Sequence, residues 1–173
     1  MRRPGLGFTL AELLVTVAIL GIVGTMSLAY IGGRGDLKVS TAARQAASCL
    51  QYAQNLAIAR GEPHYVVPDL APGGDSLDVA TWDGSGWVGV DHPVEPGPLR
   101  LDFTKLDGVV RTDNTFNDQP VVGFDSTGAP FTTELTNNAH VPFGSPADLI
   151  LKSGDHELKV QIEPVTGEVT IIK

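Results

Sequence analysis

The pattern of hydrophobic and polar positions changes character twice along the chain. From Phe8 to Ile31 the residues are apolar on every side, with no charge and no proline between Leu13 and Ala29 and a single carboxylate, Glu12, near the start. As a helix rising 1.5 Å per residue this run is about 36 Å long, enough to cross a hydrocarbon core of roughly 30 Å. The pattern therefore predicts a membrane-spanning helix over 8–31. Gly32, Gly33, Arg34 and Gly35 then interrupt it, each glycine costing a helix about 1 kcal/mol relative to alanine, so a kink or a melted turn is expected there. Helical periodicity returns with Val39, Ala43, Ala46, Leu50, Ala53 and Ala57, spaced at three and four residues with Leu56 alongside, while Lys38, Arg44, Gln45, Gln51, Gln54 and Asn55 take the other faces. Gly61 and Pro63 end this amphipathic piece, 32–60, in the expected order. Its narrow alanine stripe has two readings: a face packed closely on the protein's own sheet, or a surface for neighbouring helices.

Beyond Tyr65 the pattern becomes short β-rich runs broken by Gly, Pro, Asn and Asp. Strands are expected near His64–Val67, Leu77–Trp82, Gly86–Val90, Leu99–Phe103, Gly108–Arg111, Val121–Phe124, Asp148–Lys152, Glu157–Glu163 and Glu168–Ile172. Trp82 and Trp87 flank a turn-rich Asp83–Gly86, which suits a hairpin. In the last pair Leu158, Val160 and Ile162 alternate with polar residues, and Pro164–Gly167 turns the chain into Val169 and Ile171. Polar residues dominate Thr112–Gln119 and Thr132–Pro146, where loops are expected. The expected fold class is α+β, a long N-terminal helix with a membrane-spanning first half, packed on an antiparallel β-sheet domain over 61–173.

Charge and composition narrow the choices. Arg2 and Arg3 precede the apolar run and by the positive-inside bias hold the N-terminus in the cytoplasm, with everything after Gly33 on the far side. The run is longer than a secretory signal uses, and Ala29, Tyr30 and Ile31 place bulk where a cleavage site needs small groups, so the segment should stay attached. In 173 residues there is room for one such helix and one soluble domain. A net charge of −8 makes nucleic acid a disfavoured partner. From Asp36 onward the basic residues are dispersed and do not interleave with aromatics as a stacking groove requires. The single cysteine, Cys49, excludes a disulfide within the chain and reads as a small buried hydrophobe.

Glu12 is the oddity of the apolar run. A charge placed about one turn into a membrane costs roughly 2.5 to 3.5 kcal/mol on insertion scales, and no Lys or Arg occurs between Arg3 and Arg34 to offset it. Gly7, Phe8, Thr9, Leu10, Ala11 and Glu12, followed by the apolar run, resemble the processing site and helix of type IV prepilins and type II secretion pseudopilins. The resemblance implies a leader, 1–7, removed by a prepilin peptidase between Gly7 and Phe8, and N-methylation of Phe8. It also implies that Glu12 meets the N-terminal amine of a neighbouring subunit, which would supply the missing positive charge as the helix enters a filament. Three later segments, Tyr52–Gly61, Phe124–Pro130 with Gly128, and Ile162–Val169 with Pro164, Thr166 and Gly167, are similar to the GspH/FimT family of minor pseudopilins. DNA-uptake members of that family carry basic residues after the glycine of the final hairpin, whereas here Gly167 is followed by Glu168 and Thr170.

Catalytic chemistry finds no support. No nucleophile elbow or other catalytic signature surrounds a serine, and His64, His92, His140 and His156 stand singly, without the i, i+4 spacing of a helical zinc pair. Asp75, Asp78, Asp83 and Asp91 could offer oxygen ligands to calcium, but their spacing matches no EF-hand loop, and ordinary solvated turn aspartates are the plainer reading. No catalytic residue, metal site or cofactor is expected. The resemblance implies a structural subunit of a secretion pseudopilus in the inner membrane, with its β domain in the periplasm. Its partners would be other pseudopilins, the prepilin peptidase and the inner-membrane assembly platform. The alternative is a FimT-like minor pilin of a type IV pilus or DNA-uptake system.

Overall fold

The computed structural model of the chain describes residues 9–31, 34–70, 74–94, 96–106, 108–112, 116, 121–133 and 140–173. The chain divides into two compact units, Met1–Arg34 and Gly35–Lys173. The first consists of helix α1, Leu10–Ile31. Thr9 caps it: its carbonyl accepts the Leu13 N–H at 3.1 Å, and its hydroxyl accepts the Glu12 N–H at 3.3 Å. Side chains are described from Leu10 to Thr25, a stretch of about 24 Å, and every one of them is exposed. Among the described residues no helix is long and apolar enough to cross a membrane, so the span expected over 8–31 reaches past the described side chains. Gly32 and Gly33, the centre of the expected kink, lie outside the described residues.

The second unit is built on helix α2, Arg34–Arg60. Its apolar face is made largely of small residues, with Val39, Ala42, Ala43, Ala46, Leu50, Ala53 and Ala57 fully buried. Alanines at this spacing let the helix backbone approach the strands closely, and the stripe faces the protein's own sheets. Gly61, at φ 69° and donating to the Ala57 carbonyl at 3.0 Å, ends the helix. Gly35, expected to break the pattern, instead lies inside α2. A Cβ there would come within 2.8 Å of the His156 ring and 3.2 Å of the Ser153 carbonyl. Close packing against that ring and carbonyl leaves no room for a side chain at this position.

Two antiparallel sheets cover that helix. The larger contains β1 (His64–Pro68), β2 (Ser76–Trp82), β3 (Trp87–Gly89), β4 (Arg100–Asp102), β6 (Val121–Phe124), β7 (Pro130–Thr133) and β8 (Val141–Pro142), in the order β3-β2-β1-β6-β7-β8 with β4 also on β2. The smaller contains β5 (Val110–Arg111), β9 (Ala147–Ser153), β10 (His156–Ile162) and β11 (Val169–Ile172), in the order β11-β10-β9-β5. Alternation explains the register: Val66, Leu77, Val79, Val122 and Phe124 from the first sheet and Leu149, Leu151, Val160 and Ile162 from the second meet the alanine face of α2 in one core. The opposite face of the larger sheet buries Tyr65, Val67, Ala80, Val121 and Phe131, with Trp82 and Trp87 packed against them. Gly123 belongs to this second cluster by necessity, since a Cβ would lie 2.4 Å from the Phe131 ring.

The two expected hairpins are present. Trp82 pairs with Trp87, their rings edge to face at 4.9 Å, and Ile162 pairs with Val169. Ile171, opposite Val160, is still 42% exposed because β11 is the open edge of its sheet. Three expectations are corrected. Phe103 leaves β4 for a 3-10 turn, Phe103–Lys105, capped by the Asp102 carboxylate. The strand expected over Gly108–Arg111 shrinks to two residues, Gly108 sitting at φ 75°. The region from Thr132 to Pro146, expected as loop, holds the end of β7 and all of β8. Thr132 and Thr133 are buried despite their hydroxyls, and Thr132 Oγ1 donates to the Val121 carbonyl at 3.0 Å.

Candidate functional site

Of the residues singled out for processing and assembly, Glu12 lies at the start of α1. Gly7 and Phe8 lie outside the described residues. Glu12 stands exposed in the first helical turn, where a carboxylate is favoured by the unsatisfied amides and the positive end of the helix dipole. Among the described residues no ion pair involves it. Downstream, the polar atoms turn inward: Thr16 and Thr25 donate their hydroxyls to the carbonyls of Leu13 and Ile22, each at 2.8 Å. What remains outward is aliphatic, with Leu13, Leu14, Val15, Val17, Ile19, Leu20, Ile22 and Val23 each more than half exposed. A helix whose described side chains downstream of Glu12 are apolar on all sides, with the Thr16 and Thr25 hydroxyls satisfied by its own backbone, is chemically suited to lipid or to other apolar helices.

In the folded domain the structure disperses the chemistry-bearing residues. His64 is buried on β1, its Nδ1 3.0 Å from the Glu62 carbonyl and its Nε2 3.4 Å from the Arg60 guanidinium. Because Arg can only donate, Nε2 is the acceptor and the proton sits on Nδ1. His140 stacks on Phe131 at 3.8 Å and lies 3.2 Å from the Tyr65 hydroxyl. His156 packs beside Gly35 on the other sheet, and His92 lies in the loop after β3. No two of the four share a site.

The aspartates also part company. Asp83 caps the β2–β3 turn, accepting from the Ser85 and Gly86 amides at 2.8 and 2.9 Å and from the Ser85 hydroxyl at 2.8 Å, bonds that hold its carboxyl below the usual range. Asp91 sits at a single β-bridge to Pro98. Asp78 is not a solvated turn residue. It is buried on β2, accepting from Arg100 Nε at 2.5 Å and from the Ser76 hydroxyl at 2.7 Å. Asp75 faces Arg111 Nε at 2.9 Å, and the same guanidinium donates to Asp69 at 2.6 Å. The Arg111–Asp75 contact is electrostatic without hydrogen-bond alignment, since Asp75 Oδ1 and Arg111 Nη1 are both buried with no hydrogen-bond partner among the described residues. Among the described residues no group of three or more His, Cys, Asp or Glu converges as a metal site would require.

Sequence reasoning missed this charge network because its partners lie 22 and 42 residues apart. Its role is structural: Asp69 also accepts the Ser76 N–H at 2.9 Å, so Arg111 of the smaller sheet is tied to the β1–β2 hairpin of the larger. An open groove of about 610 Å³ runs between α2 and residues 92–101, with Cys49 at its wall. Burial, reinforced by the negative charge of Asp78, pushes the Cys49 thiol up to about 12. It packs as a small hydrophobe whose surroundings disfavour the thiolate.

The sequence model of the type II transport protein GspH family matches residues 42–164, and the prokaryotic N-terminal methylation motif matches residues 3–28. No curated protein matches the chain. Among solved structures, the type IV minor pilin FimU of Pseudomonas aeruginosa, strain PAO1, is similar in fold. One crystal form aligns at a TM-score of 0.53 with 15% identity over 78% of this chain and 88% of that one. A second form gives 0.51 with 15% identity over 78% and 92%.

Proposed function

Since the chain belongs to the GspH family of type II transport proteins, a family of structural subunits with the type IV pilin fold, we propose that it is a minor pseudopilin of a type II secretion pseudopilus. The observation that carries this reading is the pairing of the family match over 42–164 with the methylation motif over 3–28. Prepilin peptidase removes residues 1–7 by cutting between Gly7 and Phe8, and Phe8 becomes the methylated N-terminus. The apolar segment 8–31 holds the subunit in the inner membrane as a single pass, its N-terminus cytoplasmic and residues 61–173 periplasmic. On assembly, Glu12 meets the N-terminal amine of a neighbouring subunit. An amine beside the carboxylate offsets the desolvation that either charge alone would suffer in an apolar bundle. The assembly platform lifts the subunit out of the bilayer, and α1 exchanges lipid for the apolar helices of other pseudopilins.

The second reading, a FimT-like minor pilin of a type IV pilus or DNA-uptake system, is supported by the likeness in fold to FimU. The net charge of −8 and the Glu168 and Thr170 that follow Gly167 weigh against its DNA-binding form. Deleting the chain in its host separates the two. A secretion pseudopilin leaves exported proteins trapped in the periplasm with pilus-dependent motility and DNA uptake intact. The reverse phenotype would establish the pilus reading. Intact mass of the membrane-extracted protein, expected to lack Met1 to Gly7 and to carry one added methyl, tests processing in either case.

A further inference from the structure

Three segments far apart in sequence meet at one side chain. Gln54, half-buried on α2, donates from Nε2 to the Gly128 carbonyl at 2.9 Å and to the Thr166 carbonyl at 3.2 Å. Gly128 lies in the β6–β7 turn of the larger sheet, and Thr166 in the β10–β11 turn of the smaller one. The amide orientation follows from chemistry, because turning it over would set Oε1 against two carbonyl oxygens. The turns also touch each other. A Cβ on Gly167 would lie 2.6 Å from Gln54 Nε2 and 2.6 Å from the Gly128 carbonyl, and one on Gly128 would lie 2.8 Å from Ile58 Cδ1, one helical turn beyond Gln54. Both glycines have positive φ, 85° and 69°, so each turn is shaped to leave room for the amide and for its counterpart.

We propose that Gln54 is a latch: one amide, satisfying a carbonyl in one turn of each sheet, makes the β6–β7 and β10–β11 turns open and close as a single unit fixed to α2. Each turn has its own closing bonds, Gly128 N–H to the Asp125 carbonyl at 2.9 Å and Gly167 N–H to the Glu163 carbonyl at 2.9 Å. The turns could therefore form independently, and beyond their van der Waals contact with each other the shared amide is what couples them. The geometry requires donors at position 54. A side chain of equal length without them frees both turns, and a carboxylate, facing two carbonyl oxygens, repels both.

Amide hydrogen exchange on the full chain in detergent, with peptide-level mass readout, tests the coupling. Gln54→Met keeps the length and removes the donors. It should speed exchange in both turns by a similar factor, on the order of tenfold for the loss of hydrogen bonds of ordinary net worth. The Asp83–Gly86 turn, which Gln54 does not touch, should remain at the wild-type rate and serves as the control. Gln54→Glu should exceed Gln54→Met in both turns. A response in one turn only, in neither, or equally in the control turn would overturn the latch. Gln54→Glu exchanging no faster than Gln54→Met would overturn the donor requirement. If Gln54→Glu does not fold, the Gln54→Met comparison across the three turns decides alone. The outcome is independent of whether the filament is a pseudopilus or a pilus.

Discussion

The two units obtain burial in opposite ways. The second unit encloses its apolar side chains: one face of α2 and the inner faces of both sheets make a core in which Leu50, Leu77, Phe124, Leu149 and Ile162 have no exposure. Among the described residues of the first unit, no side chain is enclosed. Leu10 is 79% exposed and Leu20 69%, and the described side chains of α1 show no polar face to present to water. Exposed aliphatic surface forgoes about 25 cal/mol per Å², and a contiguous apolar surface of this extent marks a site that something else covers. The domain covers its apolar side chains with its own sheets, whereas the described aliphatic side chains of the helix stand uncovered.

The sharpest way to test that contrast is at Glu12. Substitution Glu12→Ala removes the one charge in the apolar run and should leave membrane insertion intact or improved, since a carboxylate there costs roughly 2.5 to 3.5 kcal/mol. Incorporation into filaments should nevertheless be lost, because nothing then pairs with the neighbouring N-terminal amine. Crosslinking of the variant to its partner pilins at the wild-type level would show the amine contact to be dispensable.

Side-chain truncations in the two units measure the same contrast as stability. Leu50→Ala opens a cavity in the core beneath α2 and should cost about 2 to 5 kcal/mol in denaturant unfolding of the domain. Leu14→Ala shortens a side chain that is 63% exposed and should move that transition by no more than about 0.5 kcal/mol. Comparable losses at both positions would mean that α1 contributes to the folded core, contrary to the division into two units.

Much of this division could be read from the pattern of residues, and the failures have physical causes. The alanine stripe, the helix stop at Gly61 and the Trp82–Trp87 and Ile162–Val169 hairpins follow from period, capping and turn chemistry, all of them local. β7 was hidden because Thr132 and Thr133 read as polar surface, yet their hydroxyls are absorbed by the sheet, and Pro130 stands at the strand's first residue, where its missing N–H does little harm. Asp78 read as a turn residue because its compensating Arg100 lies across a strand pair. Gly35 read as a helix breaker because the His156 ring it packs against lies far along the sequence. Of the proposed assembly site, Glu12 was legible as a lone carboxylate in an apolar run. Gln54 was not, since a glutamine on a helix face has no pattern until the two turns arrive.

The smallest expected effect concerns acid. Asp125 closes the β6–β7 turn, accepting from the Thr127 N–H at 2.8 Å, the Thr127 hydroxyl at 2.6 Å and the Ala129 N–H at 3.0 Å. Partial burial pushes its carboxyl up, but the Thr127 hydroxyl and the turn amides outweigh it, and the net shift is downward. A carboxyl that titrates lower when folded than when unfolded adds stability that is fully present above the unfolded value, about 3.9. That contribution fades as pH falls through the folded value. The domain should therefore lose stability on acidification below about pH 4, and Asp125→Asn should reduce the slope of that loss. The asparagine oxygen still accepts the turn's hydrogen bonds but carries no charge to titrate, so the two proteins should differ more in slope than in stability at neutral pH. Asp83 and Asp102, both also shifted downward by their turn hydrogen bonds, titrate identically in wild type and variant and cancel from the comparison. Urea midpoints measured from pH 7 to pH 3 give the two slopes, and parallel curves would remove Asp125 from the account of acid sensitivity.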